Sequence, residues 1–311
     1  MARLYLGRPE LADLIAIKYG GWRTAWKGIR NEILFRFRRE SGYRLLSANF
    51  EVTNRCNIRC TICPVNRGMR RARATQSLPA FEKFLELNPG LEFLLLFQWG
   101  EPLLVGELPD MIRLASDRGV ATMITTNGTL LTEEWSGRLL DAGLCRLTLS
   151  VDGDAASHRA IRGVELEPLR RNLERLRRMR DERGSALGID VSMVVNAATE
   201  RAWPEVRGSW RGIADRIQAI PQFFSRPRRH PCREPSRGSL VVLADGRVTV
   251  CCADPEGEAT VGQMTEAPLQ EILNNERMRA FRRAHFQRRF PALCRDCGEY
   301  ETPVVHPRFE H

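Results

Sequence analysis

Beyond residue 45 the chain alternates short apolar runs with helix-like segments, and that rhythm restricts its fold more than any other feature. Runs suited to buried strands lie at 48–53, 92–98, 120–125, 145–151, 189–195 and 216–220. Helix patterns fill the intervals near 78–88, 107–118, 132–142, 166–183 and 199–212. Strand alternating with helix implies parallel strands joined by crossovers. Six such units predict an α/β fold, a partial (β/α)6 TIM-like barrel that stops short of the eight units of a closed one. The rhythm breaks at 221–237, a Pro-, Arg- and Ser-rich stretch that reads as a linker. After it, SLVVL, Asp245-Gly246 and RVTVCC read as a β-hairpin, since Asp-Gly between two apolar runs is a strong turn signal. A helix near 268–286 and then Cys294-x-x-Cys297 follow. The expected organisation is a helical extension over 1–45, the barrel over 46–225 and a small C-terminal domain over 226–311.

The net charge of +10 raises the question of nucleic acid. Much of the excess sits on one predicted helix (Arg170, Arg171, Arg175, Arg177, Arg178, Arg180) and near the C-terminus (Arg279, Arg282, Arg283, Arg288, Arg289). No aromatic-interleaved binding motif accompanies these runs, so solvated helix faces are expected and no nucleic-acid partner. Residues 10–39 form a basic amphipathic pattern, with Leu14, Trp22, Trp26 and Ile33 against Lys18, Lys27 and Arg30. Packing as a cap on the barrel is the expected fate of that stripe, with a membrane surface as the alternative. There is no signal-peptide pattern and no run of about 20 apolar residues, so a cytoplasmic protein with no membrane partner is expected. Nine cysteines in such a chain favour metal ligation over disulfides.

Three of them, Cys56, Cys60 and Cys63, fall within eight residues directly after the first predicted strand. Thiolates are the ligands of iron–sulfur clusters, and this spacing lets one loop wrap a cube of iron and sulfide while leaving one iron open. A structural zinc would need a fourth ligand nearby, and none is evident. The CxxxCxxC spacing resembles the signature of the radical S-adenosylmethionine (SAM) superfamily. That resemblance implies a 4Fe–4S cluster that binds SAM at the C-terminal ends of the barrel strands. It implies site residues strand by strand: Gly100, Glu101 and Pro102 toward the methionine amino group, although the usual preceding glycine is Trp99 here. Thr126-Asn127-Gly128 is similar to a common family segment. Ser150 resembles a ribose contact within Ser150-Val151-Asp152-Gly153, with His158 and Arg162 downstream; Arg162 is expected to pair with the SAM carboxylate. Asn196 matches a position that touches ribose or carboxylate.

Cys232, Cys251, Cys294 and Cys297 form a second set. It resembles the SPASM or "twitch" domains of the same family, which implies one auxiliary 4Fe–4S cluster; zinc on the same four thiols is the competitor. Cys145 reads as packing. Cys252 is the thiol left over. Either it is a bystander in the hairpin, or it is a catalytic hydrogen-atom donor, a role that suits a weak S–H bond. The compact size resembles family enzymes acting on aminoglycoside or oligosaccharide natural products. The resemblance therefore implies a radical epimerase acting on a carbinol carbon of a glycoside-type small molecule, supplied with electrons by a flavodoxin or ferredoxin. Dehydrogenation to a ketone through the auxiliary cluster and ribosomal peptide modification are the alternatives.

Overall fold

The computed structural model describes residues 11–196, 199–221 and 227–297. In chain order the elements are α1 (Leu11–Arg36), β1 (Ser47–Phe50), α2 (Leu78–Leu87), β2 (Phe93–Leu95), α3 (Leu108–Asp117), β3 (Ala121–Thr126) and α4 (Glu133–Asp141). They continue with β4 (Arg146–Val151), α5 (Ala155–Arg162), α6 (Leu166–Glu182), β5 (Gly188–Val195), α7 (Trp203–Ser209) and β6 (Arg216–Pro221). The C-terminal third holds α8 (Glu234–Arg237), β7 (Ser239–Val242), β8 (Arg247–Thr249), β9 (Thr260–Gln263), α9 (Leu269–Ile272), α10 (Glu276–Phe286) and α11 (Ala292–Arg295).

One nine-stranded sheet carries all the strands, in the order β6-β5-β4-β3-β2-β1-β7-β8-β9. The six barrel strands lie side by side in sequence order and run parallel, as the βα rhythm predicts for a partial barrel. Strand pleating sorts their side chains. Leu147, Leu149 and Val151 of β4 and Ile189, Val191 and Met193 of β5 enter the core between sheet and helices. Phe93 and Leu95 of β2 and Met123 of β3 form a separate small cluster on the other face. Phe50 of β1 meets Phe81 of α2 edge-on and Phe84 at a tilt, with ring centroids 5.0 and 4.9 Å away. Polar caps begin the crossover helices: Ser77, Thr132 and Asp154 each accept from a backbone N–H three residues on.

The C-terminal hairpin is not a separate sheet. β7 pairs in parallel with β1, from Ser47 opposite Ser239 to Phe50 opposite Val242. The sheet thus runs straight across the 225/226 boundary, because β1 would otherwise leave a buried edge of unpaired N–H and C=O groups. The expected turn is present at Asp245-Gly246, where Gly246 takes a φ of +85°. A third strand, β9, extends the hairpin and has no strong sequence signal at four residues.

Several helix boundaries differ from expectation. The 199–212 segment is a 3-10 turn (Glu200–Ala202) followed by the short α7. The 268–286 helix is broken into α9 and α10 at Asn274 and Asn275, where Asn275 caps the second by accepting from Met278 N. The arginine-rich α6 is a solvated face, laced by Arg170–Glu174, Arg171–Glu167 and Arg177–Asp181 pairs over buried Leu169, Leu173 and Leu176. Arg282 departs from that pattern. It is buried, stacks 4.1 Å from the centroid of Tyr43, and donates to the carbonyls of Glu40, Pro235 and Leu273.

α1 does pack against the body of the protein, with Leu34 on the core and Thr24 and Asn31 buried, but the expected stripe is not the face it uses. Trp22, Trp26 and Ile33 face solvent, and the helix is anchored instead by polar bonds on its other side. Asn31 binds the backbone of Arg44 and Arg237, and Lys27 reaches Glu92 at 2.9 Å. The side chains of residues 11–20, including Leu14 and Lys18, lie outside the described part. No described helix is long and apolar enough to cross a membrane.

Candidate active site

The loops at the C-terminal ends of the barrel strands converge on the first cysteine loop. Cys56, Cys60 and Cys63 lie on the segment after β1, which is pinned from both sides. Thr61 N donates to Ile161 O on α5, Asn66 Nδ2 to Ile58 O and Arg73 to Asn54 O. The three thiols sit within mutual electrostatic reach, and Asn127 Nδ2, just after β3, lies 3.9 Å from Cys56 Sγ. Burial pushes the Cys60 thiol up to about 11 and raises Cys56 and Cys63 as well, so loading a metal here must release protons.

Gly100-Glu101-Pro102 follows β2 and packs against this loop, with Glu101 N donating to Arg55 O at 2.8 Å. Only glycine fits at 100: its φ is +119°, and a Cβ there would lie 2.4 Å from Thr53 O and 2.8 Å from Arg55 O. The fully buried Glu101 carboxylate accepts from Thr126 Oγ1, Asn127 N and Leu103 N. Burial raises its pKa against those bonds. Its side chain therefore ties the β2 and β3 loops together, beside the cluster loop.

After β4, Asp152 is fully buried and bonds Arg162 Nε at 2.7 Å and Val194 N at 3.0 Å. The Arg162 charge also favours the ionised forms of Cys60, Cys63 and Glu101. His158 accepts from Asp152 N through Nδ1; burial, then the Arg162 charge, pushes it down to about 4 and keeps it neutral. Ser150 is half-buried near the end of β4. Asn196 follows β5, where its side-chain oxygen accepts from Thr199 N at 3.1 Å.

The second set gathers below the hairpin. Cys251 senses Cys232, Cys232 senses Cys294, and Cys294 senses Cys297. Arg228 sits among them, bonded to Cys294 O and to the Cys297 side chain. A hydrogen bond with Cys252, then burial, raises the Cys251 thiol; burial raises Cys232 and lifts Cys294 to about 11. Cys252 is held at the barrel: Gln98 Nε2, after β2, donates to its carbonyl at 2.7 Å. Cys145 stands at the opposite end of β4.

Both sets are all-sulfur. All-thiolate donor sets of three and four are the ligands that iron–sulfur clusters take.

Sequence reasoning missed the link between the two halves. Glu51, at the end of β1, and Arg71, after the cysteine loop, form a buried pair at 2.6 and 2.8 Å. Glu51 also accepts from Trp99 N and Ala244 N, and Arg71 donates to Pro255 O. The one signal was a glutamate inside an apolar strand run.

Comparison with known proteins agrees with this architecture. The Radical SAM superfamily matches residues 50–205, and the iron-sulfur cluster-binding SPASM domain matches 232–298. An AdoMet-dependent heme synthase of Nitratidesulfovibrio vulgaris is 33% identical over 117 residues, covering 37% of this chain and 32% of the relative. The 7,8-dihydro-6-hydroxymethylpterin dimethyltransferase of Methanocaldococcus jannaschii is 26% identical over 238 residues, covering 72% and 43%. The chain thus spans less than half the length of these curated relatives. Among solved structures, BtrN in complex with AdoMet and 2-DOIA has 17% identity and a TM-score of 0.55, covering 82% of this chain and 93% of BtrN. Streptococcus suis SuiB bound to precursor peptide SuiA has 12% identity and a TM-score of 0.63, covering 86% and 73%. At that identity they share the fold. The cofactors these domains imply are SAM with a 4Fe–4S cluster, and auxiliary iron–sulfur in the SPASM part. With the matched family spanning half its length and the thiol triad held where the barrel strands end, the chain belongs to the radical SAM superfamily and carries a SPASM domain.

Proposed function

We propose that this enzyme epimerises a carbinol carbon of a glycoside-type small molecule, with Cys252 as the hydrogen-atom donor. The observation that carries the proposal is the Gln98–Cys252 bond, which ties a non-ligand cysteine to the loop after β2, on the side where the strands end. Cys56, Cys60 and Cys63 hold one cluster, and Cys232, Cys251, Cys294 and Cys297 hold the other. Bound together, the first cluster and SAM supply a 5′-deoxyadenosyl radical, which removes a hydrogen atom from an unactivated C–H bond.

The chain's own residues do the rest. Gly100, Glu101 and Pro102 shape the methionine end of the SAM site, Arg162 meets its carboxylate while held by Asp152, and Ser150 and Asn196 contact the ribose. Arg162 is preset for this by its 2.7 Å bond to Asp152. Cys252 then gives its S–H hydrogen to the substrate radical from the opposite face. The thiyl takes back one electron and one proton, the electron coming from a ferredoxin- or flavodoxin-type reductant. One SAM and two electrons are consumed per inversion, and the substrate's oxidation state is unchanged.

A second reading is favoured by the Cys251–Cys252 side-chain bond, which turns the Cys252 thiol toward a ligand. In that case the substrate would be oxidised to a ketone, losing an electron and a proton from its radical, and the cluster that Cys232, Cys251, Cys294 and Cys297 would hold would supply the electron sink. Peptide modification is the third reading, supported by the shared fold of SuiB with its bound peptide. Turnover in deuterated water divides the first two. Epimerisation through Cys252 gives product with one deuterium at the inverted carbon, and Cys252→Ala keeps SAM cleavage but loses that product. A ketone without deuterium, formed equally by Cys252→Ala, refutes the epimerase.

A further inference from the structure

Seven large hydrophobic side chains are strongly exposed among the described residues, and five lie on or just after α1. They are Trp22, Trp26, Ile29, Ile33 and Phe37, exposed by 71, 62, 52, 47 and 76%. Their spacing of four, three, four and four residues puts them on one narrow arc of the helix. Phe37 stays in register because its N–H donates to Ile33 O at 3.0 Å. The opposite arc is the anchored one, with Thr24 and Asn31 buried and Lys27 paired with Glu92. A helix kept only to cover the barrel would be rotated the other way, so the outward arc meets something else.

The charge around it says what. Residues 21–44 carry seven Lys and Arg against two carboxylates, Glu32 and Glu40. Both carboxylates are already paired with arginine, Glu32 with Arg36 at 2.8 Å and Glu40 with Arg283 at 2.7 Å. Beside the arc lies a cleft of about 420 Å³ lined by Arg23, Lys27, Arg30 and Arg44 together with Trp26 and Ile33. Apolar and cationic side chains lining one cleft suit an amphiphile with an anionic head. A second copy of the chain would bring two such cationic faces together, which costs affinity.

We propose that α1 docks the enzyme on an anionic phospholipid bilayer. The five apolar side chains enter the boundary between headgroups and acyl chains, where tryptophan is at home, and the surrounding arginines meet lipid phosphates. The docking is independent of the reaction assigned above.

Sedimentation of the anaerobically reconstituted full-length protein with vesicles tests it. Vesicles of phosphatidylcholine mixed with phosphatidylglycerol should bind at least about tenfold more tightly than pure phosphatidylcholine, with the difference shrinking as salt rises. Trp22→Ser/Trp26→Ser should weaken binding by about tenfold or more. Both side chains face solvent, so iron content and melting temperature should match the wild type. The proposal is overturned if the wild type ignores the phosphatidylglycerol vesicles, or if the double variant binds them as well as the wild type. It is also overturned if the wild type is a dimer that the double variant splits into monomers, which assigns the arc to a second copy.

Discussion

Replacing Glu51 by Gln should be among the most damaging single-atom changes in this protein. The carboxylate is fully buried and serves four donors at once: Arg71 Nη1 and Nη2, Trp99 N and Ala244 N. Those donors belong to the stretch after the cluster cysteines, the residue before Gly100 and the turn of the C-terminal hairpin. Glu51→Gln leaves a buried guanidinium without its counter-charge and turns an NH2 group toward one of the N–H donors. Breaking a buried pair from one side costs about 3–5 kcal/mol. At roughly 2 °C per kcal/mol for a chain of this size, the melting temperature should drop by about 6–10 °C. Arg71→Met should cost a similar amount, because it strands the carboxylate. The double variant Glu51→Gln/Arg71→Met should cost clearly less than the two single changes added together, since no charge is then left buried alone. Thermal denaturation of the reconstituted proteins under anaerobic conditions, followed by circular dichroism, gives all the values. A Glu51→Gln variant within about 1 kcal/mol of wild type, or strictly additive single costs, would refute the clamp.

Three further outcomes follow from the same structure. Arg282→Lys should destabilise by about 2–4 kcal/mol in denaturant titration, because one ammonium cannot reach three carbonyls and stack on Tyr43; an unchanged midpoint would contradict this. Buried His158, held near a pKa of about 4, binds a proton more readily unfolded than folded, so its contribution is intact above pH about 6.5 and is lost as pH falls toward about 4. Loss of stability over that window should be shallower in His158→Gln by up to about 3 kcal/mol at its acid end, and parallel curves would rule the histidine out. Glu101→Gln should weaken SAM binding about ten- to hundredfold by loosening the loop that Thr126 and Asn127 hang on, with iron content kept; unchanged SAM affinity would make that network a matter of stability alone.

Much of the barrel was legible in the sequence because its strands are buried on both faces and its crossovers carry caps. Runs such as that of β5, with Ile189, Val191 and Met193 all in the core, announce themselves by composition. The short elements were not legible: β9 has four residues, and α5 and α8 have eight and four, too few to show a period. Parallel pairing of β7 with β1 joins positions 192 residues apart at Ser47 and Ser239, and local pattern holds no trace of such a partner. At the site, residue types were readable and their employment was not. Glu101, Asp152 and Asn196 could be singled out from motif position, but the Thr126, Arg162 and Thr199 partners that occupy them emerge only from the fold. The stripe of α1 marks the limit of periodicity itself: it identified the apolar arc correctly and its direction wrongly, because Asn31 and Thr24 anchor the other side.

The central claim rests on three thiols, and the most direct test is SAM cleavage by the reconstituted enzyme against its Cys56→Ala/Cys60→Ala/Cys63→Ala variant. With dithionite as reductant and no substrate, the wild type should form 5′-deoxyadenosine and hold about eight irons, and the variant should hold about four and form none. A variant that still produces 5′-deoxyadenosine, or a fully loaded wild type that produces none, contradicts the assignment.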